Sequence, residues 1–213
     1  MRTRVKFCGM TNPADAHAAA AAGADAIGFV LYPPAKVAID ARTAAAIAAT
    51  MPPFVEIVAL FVNATAAEIR QTIDILKPHT LQFHGEEPAD FCCNFGLPYI
   101  KSCHVQSTDD IRRTAAAHPH CRALLLDTYV AGVAGGSGQS FDWQKIPANC
   151  PHPLIVAGGL TAANVGTLIN QVHPWAVDAS SGIACEDNRR QKNYDKIADF
   201  MRSVQDADNN QTN

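Results

Sequence analysis

Short apolar runs recur along the chain, and they lie too far apart for the hairpins of a β sandwich. They are continuously apolar rather than alternating, which is typical of parallel strands covered on both faces. We therefore predict eight parallel strands, at residues 4–8, 26–31, 55–62, 80–83, 99–103, 123–126, 154–156 and 175–178.

Helix signals fill most of the gaps between these runs. Asn12 and Pro13 supply an N-cap and a first-turn proline for an alanine-rich helix that ends at Gly23. Two later gaps begin with capping boxes, in which a threonine or serine precedes an acidic residue by three positions. The signals predict helices over residues 13–23, 40–49, 65–77, 107–118, 161–170 and 194–204.

The alternation of strand and helix predicts a single (β/α)₈ TIM barrel, of the α/β class, over residues 1–204. We expect the polar residues 205–213 to form a frayed tail. The alternative is a doubly wound open sheet, which usually carries a G-x-G-x-x-G fingerprint after its first strand. The sequence Cys8-Gly9-Met10-Thr11 lacks that fingerprint, so we favour the barrel.

Composition narrows the class of protein. The 213 residues carry a formal net charge of −3, with no basic block that could follow a phosphate backbone, so we expect no nucleic-acid partner. Seven cysteines without C-x-x-C spacing are typical of reduced thiols in the cytoplasm. The start of the chain has no apolar signal segment, and Pro52, Pro53 and Glu56 interrupt the longest apolar span, so we expect no membrane contact.

Polar and small residues close the predicted strands, where a barrel places its active site. Glycine and serine follow strands seven and eight, where barrels often hold a phosphate on main-chain N–H groups, so we expect a phosphorylated small-molecule substrate. Tight turns are the alternative explanation. The strand-end residues are Cys8, Lys36, Asn63, His84, Lys101, Asp127, Gly158, Gly159, Asp178, Ser180, Ser181 and Gly182.

Cys8 and Asp127 are the candidate base and acid, because they end two different strands. A carboxylate directly after four apolar residues must be paired, solvated at a cleft or protonated. The alternatives are that Cys8 is one more buried thiol and that Asp127 caps a helix. His84 lies at a turn, either as a substrate contact or as a structural histidine. The histidines show no H-E-x-x-H motif and no clustered Cys/His spacing, so we expect no metal site.

Six short motifs occur in the order and at the strand ends of one enzyme family. The chain is similar, over about residues 4–200, to the phosphoribosylanthranilate isomerases, (β/α)₈ enzymes of tryptophan biosynthesis. The matching segments are Lys6-Phe7-Cys8-Gly9-Met10-Thr11, Gln82-Phe83-His84-Gly85-Glu86, Leu125-Leu126-Asp127, Gly135-Gly136-Ser137-Gly138 with Phe141-Asp142-Trp143, Ala157-Gly158-Gly159-Leu160-Thr161 with Asn164-Val165, and Val177-Asp178-Ala179-Ser180-Ser181-Gly182.

The resemblance implies an Amadori rearrangement of N-(5-phosphoribosyl)anthranilate to 1-(2-carboxyphenylamino)-1-deoxyribulose 5-phosphate, without a cofactor. It implies that Cys8 is the general base, that Asp127 is the general acid and that Asp178 contacts the sugar. The implied phosphate site comprises Gly136, Gly158, Gly159, Ser180, Ser181 and Gly182.

The chain departs from the family pattern in two places. Lys36 occupies the position of an arginine that is thought to meet the anthranilate carboxylate, and lysine lacks the bidentate fork of arginine. Lys192-Asn193 replaces a usual Lys-Asp pair, which we interpret as peripheral.

Two other functions remain open from the sequence. The histidine-pathway isomerase catalyses the same class of reaction on a similar barrel but carries an aspartate where Cys8 stands. A non-catalytic barrel that binds sugar phosphates would need neither Cys8 nor Asp127. We expect a monomer or a homodimer.

Overall fold

Eight parallel strands pair in chain order and close into a barrel in the computed structural model, which describes residues 2–128 and 141–210. This closure confirms the predicted (β/α)₈ fold and excludes the open sheet. The strands are β1 Arg4–Cys8, β2 Ala26–Val30, β3 Glu56–Phe61, β4 Thr80–Phe83, β5 Tyr99–Val105, β6 Ala123–Thr128, β7 Leu154–Val156 and β8 Ala176–Ala179.

Helices follow most of the strands, close to where the capping signals predict them. Both capping boxes form, between Thr65 and Glu68 and between Ser107 and Asp110. None of the helices within residues 2–128 and 141–210 combines the length and the hydrophobicity that crossing a membrane requires. The helices are α1 Pro13–Ala21, α2 Ala41–Ala48, α3 Ala66–Leu76, α4 Ala89–Cys92, α5 Thr108–Ala117, α6 Ala162–Val172 and α7 Tyr194–Asn210.

The last helix is longer than predicted. The sequence predicted an end at residue 204 and a frayed segment after it, which is wrong for residues 205–210, because α7 continues to Asn210. Val204 and Ala207 are buried, and the Asp208 carboxylate accepts hydrogen bonds from the Thr3 N–H and hydroxyl, both at 2.7 Å. These contacts tie the end of the helix to the start of β1.

The hydrophobic core has two layers that fix where a cavity can form. The larger layer lies between strands and helices and includes the fully buried rings of Phe7, Phe29 and Phe83. A smaller cluster fills the interior of the barrel, and it includes Leu125 and Ile155. Because the interior is packed around these side chains, ligands can reach the barrel only from an end.

Two strand-end residues that were expected at the opening instead hold the loop after β4. The ammonium of the buried Lys101 lies 3.3 Å from Glu87 Oε2 and also donates to the Gly85 carbonyl. Glu87 Oε1 accepts the Asn63 N–H at 2.7 Å, and the Asn63 side chain accepts the Glu86 N–H. Asn63 and Lys101 are therefore structural, contrary to the prediction.

Replacing Glu87 with alanine is expected to lower the free energy of unfolding by about 3–5 kcal/mol, because it leaves the Lys101 charge buried without its partner. Urea denaturation followed by circular dichroism measures the change. Glu86→Ala is the matched control, since Glu86 is exposed and its loss should cost less than about 0.5 kcal/mol. Equal stability of the two variants would contradict a structural role for the buried pair.

Candidate active site

The predicted chemistry gathers around one cavity of about 520 Å³ at the carboxyl ends of the strands, a volume in the range of ordinary ligand pockets. Of the predicted site residues, those that line it are Cys8, Lys36, His84, Asp127, Gly158, Gly159, Asp178, Ser180 and Ser181. Gly136 lies outside the described residues.

Gly182, the remaining predicted phosphate ligand, is not among the residues that line the cavity. It packs on the loop after β7, where a Cβ atom at this position would come within 1.8 Å of the Leu160 carbonyl oxygen. Its missing side chain lets the loops after β7 and β8 approach each other. Gly158 has a φ of +84°, a left-handed backbone that favours glycine, and a Cβ atom there would lie 2.9 Å from Asp127 Oδ1.

Strand register places Gly28, Lys6 and Asp178 near the Cys8 thiol, and of these three only Asp178 was among the predicted site residues. Cys8 is paired with Gly28 on β2, and Lys6 is paired with Asp178 on β8. A Cβ atom at Gly28 would lie 2.8 Å from the Cys8 sulfur and 3.1 Å from Lys6 Nζ. Glycine at this position therefore leaves the room that the thiol and the ammonium occupy.

The Cys8 thiol is protonated in this environment. Burial raises the pKa of Cys8 above its ordinary value, although the neighbouring Lys6 ammonium acts in the opposite direction. Burial lowers the pKa of Lys6, but the nearby Asp178 carboxylate outweighs burial and leaves this pKa raised, so Lys6 stays charged. Removing the Cys8 proton therefore creates a thiolate beside a fixed positive charge.

One carboxylate oxygen of Asp178 accepts a hydrogen bond from the protein, and the other has no hydrogen-bond partner among the described residues. Its Oδ2 accepts a hydrogen bond from Lys6 Nζ at 2.9 Å. Its Oδ1 is buried at the cavity and has no hydrogen-bond partner among the described residues. A buried acceptor without a partner is costly, so this oxygen is well suited to accept a hydrogen bond from a bound hydroxyl.

Asp127 is paired rather than solvated. Its Oδ2 lies 3.2 Å from His84 Nε2, and its Oδ1 accepts the Thr128 N–H at 2.8 Å. Burial raises the pKa of Asp127, but the hydrogen bond and charge of His84 and the Thr128 N–H outweigh burial and leave this pKa below its usual value. In the unliganded protein Asp127 is therefore a carboxylate, and β6 holds it inside a strand rather than at a helix cap.

Three side chains from β5, β6 and the loop after β4 form a compact cluster, and two of them, His84 and Asp127, line the cavity. His104 on β5 is paired with Asp127, and its ring meets the His84 ring edge to face, with 5.3 Å between the centroids. One ligand atom from each of His84, His104 and Asp127 lies within 4.8 Å of the other two. On the other side of His84, Nδ1 lies 2.5 Å from Ser102 Oγ. Sequence spacing could not reveal this cluster, because its members come from separate strands and the loop after β4.

Two loops bring cationic side chains to the mouth of the cavity. Lys36 is exposed on the loop after β2, and Arg189, which the sequence analysis missed, lines the same cavity from the loop after β8. The Arg190 guanidinium donates to the main-chain carbonyls of Lys36 and Ala38, at 3.1 and 3.0 Å. These bonds fix the Lys36 loop relative to the Arg189 loop.

Lys192 is not peripheral, contrary to the sequence interpretation. Only 2% of the residue is exposed, its Nζ donates to the Ser180 carbonyl at 3.2 Å, and its N–H donates to the buried Asp15 carboxylate. The neighbouring Asn193 accepts the Lys196 N–H through its side chain, so it still caps the start of α7 where an aspartate is usual.

Comparisons with known proteins agree on one family. The family model of N-(5′-phosphoribosyl)anthranilate isomerase matches residues 5–203. The enzyme of that name from Pseudomonas fluorescens is 48% identical over 96% of both chains. The crystal structure of the isomerase from Thermotoga maritima superposes with a TM-score of 0.84 at 33% identity, over 96% of this chain and 99% of that one. A phosphoribosylanthranilate isomerase in complex with reduced 1-(o-carboxyphenylamino)-1-deoxyribulose 5-phosphate has a TM-score of 0.81, also at 33% identity, with the same coverage.

Proposed function

The chain belongs to the N-(5′-phosphoribosyl)anthranilate isomerase family, and we propose that Cys8 and Asp127 are the general base and the general acid of its reaction. The protein is thus an enzyme of tryptophan biosynthesis that interconverts an aldose and a ketose derivative. One observation carries the assignment of roles: a thiol from β1 and a carboxylate from β6 line one cavity together with an Asp178 oxygen that has no hydrogen-bond partner among the described residues.

The proposed reaction begins with proton donation. Asp127 protonates the ring oxygen of the phosphoribosyl group, and the ring opens to an iminium ion. Cys8 then removes the C2′ proton, and the enamine that forms tautomerises to the ketone. These steps move protons only, so the chemistry requires no cofactor.

The resting protein holds its one mobile proton on the group that must later act as base. Cys8 is a thiol and Asp127 a carboxylate, whereas the reaction needs a thiolate and a carboxylic acid. The substrate brings a phosphate and an anthranilate carboxylate into the cavity, and such negative charge raises the pKa of a nearby carboxyl. Lys6 stabilises the thiolate, so substrate binding and Lys6 together favour transfer of the proton to Asp127.

We propose that the main chain around Gly158, Gly159 and Ser181 binds the substrate phosphate. The small residues leave the backbone accessible, and the loops that carry them follow β7 and β8, where barrels often hold a phosphate. Asp178 Oδ1 would accept a hydrogen bond from a sugar hydroxyl, which supplies the partner that it lacks. His84 orients the Asp127 carboxylate through its 3.2 Å contact.

Turnover of phosphoribosylanthranilate tests the proposed function directly. Loss of the fluorescence of this substrate is expected when purified protein is added. A barrel that only binds sugar phosphates would change the fluorescence of no more than one equivalent of substrate per protein molecule. A histidine-pathway isomerase would instead consume its own aminoaldose substrate. Cys8 favours the first reaction, because the histidine-pathway enzyme carries an aspartate there.

We expect kcat/KM to be independent of pH near neutrality. The resting and the active forms carry the same number of protons, so their ratio does not change with pH between the low pKa of Asp127 and the raised pKa of Cys8. We expect kcat/KM to stay constant from about pH 7 to pH 8.5, measured by stopped assays in one buffer series. A bell centred near pH 7 would show instead that each group titrates near neutrality in the free enzyme.

Lys36 is proposed to bind the anthranilate carboxylate. Lys36→Ala should then raise KM by about tenfold or more, as loss of a charged hydrogen bond implies, while Lys36→Arg should lower KM through bidentate contact. We expect little change of kcat in either variant. Arg189→Ala is the matched comparison, since Arg189 lines the same cavity. An unchanged KM in both Lys36 variants and a raised KM in Arg189→Ala would transfer the contact to Arg189.

We propose that the enzyme acts in the cytoplasm, as a monomer or a homodimer, on a free phosphorylated substrate and without nucleic-acid or membrane partners. Sedimentation of the purified protein distinguishes the two oligomeric states.

A further inference from the structure

We propose that His84, His104 and Asp127 form an inhibitory site for Zn²⁺ in the wall of the active-site cavity. Two imidazoles and one carboxylate are a common zinc ligand set, and zinc sites with three protein ligands leave a fourth position for water or another ligand. This proposal reverses the expectation from the sequence that the chain has no metal site.

Distances between the ligand atoms fit one small ion. His84 Nε2 and Asp127 Oδ2 are 3.2 Å apart. Two ligands that each lie about 2.0–2.2 Å from zinc are roughly 3.3 Å apart in a tetrahedron, so the separation of these two atoms already matches a shared ion. The ligand atom of His104 is within 4.8 Å of both, so its ring has to move toward the other two ligands when an ion binds.

The groups behind the ligands are those that hold a metal-binding histidine in place. A ligating imidazole usually donates its other N–H to a fixed acceptor. His84 Nδ1 lies 2.5 Å from Ser102 Oγ and 3.2 Å from the Gln82 amide nitrogen.

Gln82 supplies an independent indication. The residue is fully buried, and its Oε1 has no hydrogen-bond partner among the described residues while its Nε2 faces His84. A half turn of the amide gives Oε1 a partner, because Oε1 then accepts the Nδ1 proton of His84. The Nε2 lone pair of His84 becomes available to an ion on the Asp127 side.

Occupancy of this site would stop the proposed reaction. An ion on Asp127 takes the lone pair that carries the catalytic proton and adds positive charge where the acid must form. This consequence rests on the proposed role of Asp127, whereas metal binding itself does not. The substrate should compete with the ion, since both need the same carboxylate.

Cobalt provides a direct test of binding, because tetrahedral Co²⁺ absorbs visible light and its thiolate complexes add strong near-ultraviolet bands. Titration of the full chain with Co²⁺ should give a visible band without the thiolate bands, and added Zn²⁺ should abolish it. His104→Gln should weaken Co²⁺ binding by about 100-fold or more, since loss of second-shell groups alone costs 10- to 100-fold. His120→Gln, a change of an exposed histidine, is the matched control and should bind as the wild type does.

Activity provides the second measurement. Zn²⁺ should inhibit the wild-type enzyme, excess EDTA should restore it, and His104→Gln should resist Zn²⁺ when its activity is compared with its own activity in the absence of zinc. Thiolate bands, or equal Co²⁺ affinity of wild type and His104→Gln, would overturn the site, since the ligands would then be cysteines or other groups. Binding that depends on His104 without any inhibition would support the site and contradict the role of Asp127 as the acid.

Discussion

Asp127→Asn is expected to lower kcat by about 10³-fold and to leave the barrel folded. Asparagine keeps the shape of the side chain and can still accept the Thr128 N–H through its oxygen. It has no proton to give to the ring oxygen of the substrate, and a positioned general acid contributes on the order of 10²–10⁴ in rate. We expect a much smaller change of KM, because the acid acts in the transition state. Steady-state fluorescence assays measure both constants.

The control for this substitution must separate lost chemistry from lost structure. Asp109→Asn changes an exposed carboxylate on α5 and should keep the wild-type kcat. Circular dichroism and the thermal midpoint of Asp127→Asn should match those of a folded barrel. A folded variant that retains more than about a tenth of the wild-type kcat would remove Asp127 from the mechanism.

The barrel was predictable because its signals are local. Continuous apolar runs mark strands buried on both faces, and capping boxes such as the one between Thr65 and Glu68 fix helix starts within a few residues. The misplaced end of α7 shows the limit of this reasoning. Polar residues in that last segment suggested fraying, yet Ala207 and Asp208 are held by residues far away in the sequence.

The pairing of site residues was not predictable in the same way, because it depends on strand register. Lys6 meets Asp178 and His104 meets Asp127 only when particular residues of two strands stand opposite each other. A partial signal was present, since Lys6 precedes Cys8 by two positions and must point to the same side of β1. Ser102 and His104 are likewise two positions apart, so their side chains point to the same side of β5.

The ionisation state of Asp127 was the property that the sequence predicted least well. The position of Asp127 after four apolar residues indicated burial, and burial alone would raise its pKa. The pKa of Asp127 is nevertheless lowered, because the His84 ring and the Thr128 N–H favour the carboxylate. Strand-end position likewise could not separate Lys36, at the cavity, from Lys101, whose side chain points away from the barrel interior to Glu87.

Cys8→Ser is expected to lower kcat by about 10³-fold, within the range of a lost general base. The hydroxyl is close in size to the thiol and fits beside Gly28, but it is a far weaker acid, so even Lys6 cannot make it a useful base at neutral pH. KM should change little, because the thiol contributes little to binding. Steady-state assays measure both constants.

Cys103→Ser is the matched control for this substitution. Cys103 is also a buried thiol whose pKa is raised by burial, but it lies in the core between the strands and the helices. The control should lose stability and keep kcat. If Cys8 were one more buried thiol, the two variants would behave alike, and a kcat for Cys8→Ser above about a tenth of wild type would show that another group removes the C2′ proton.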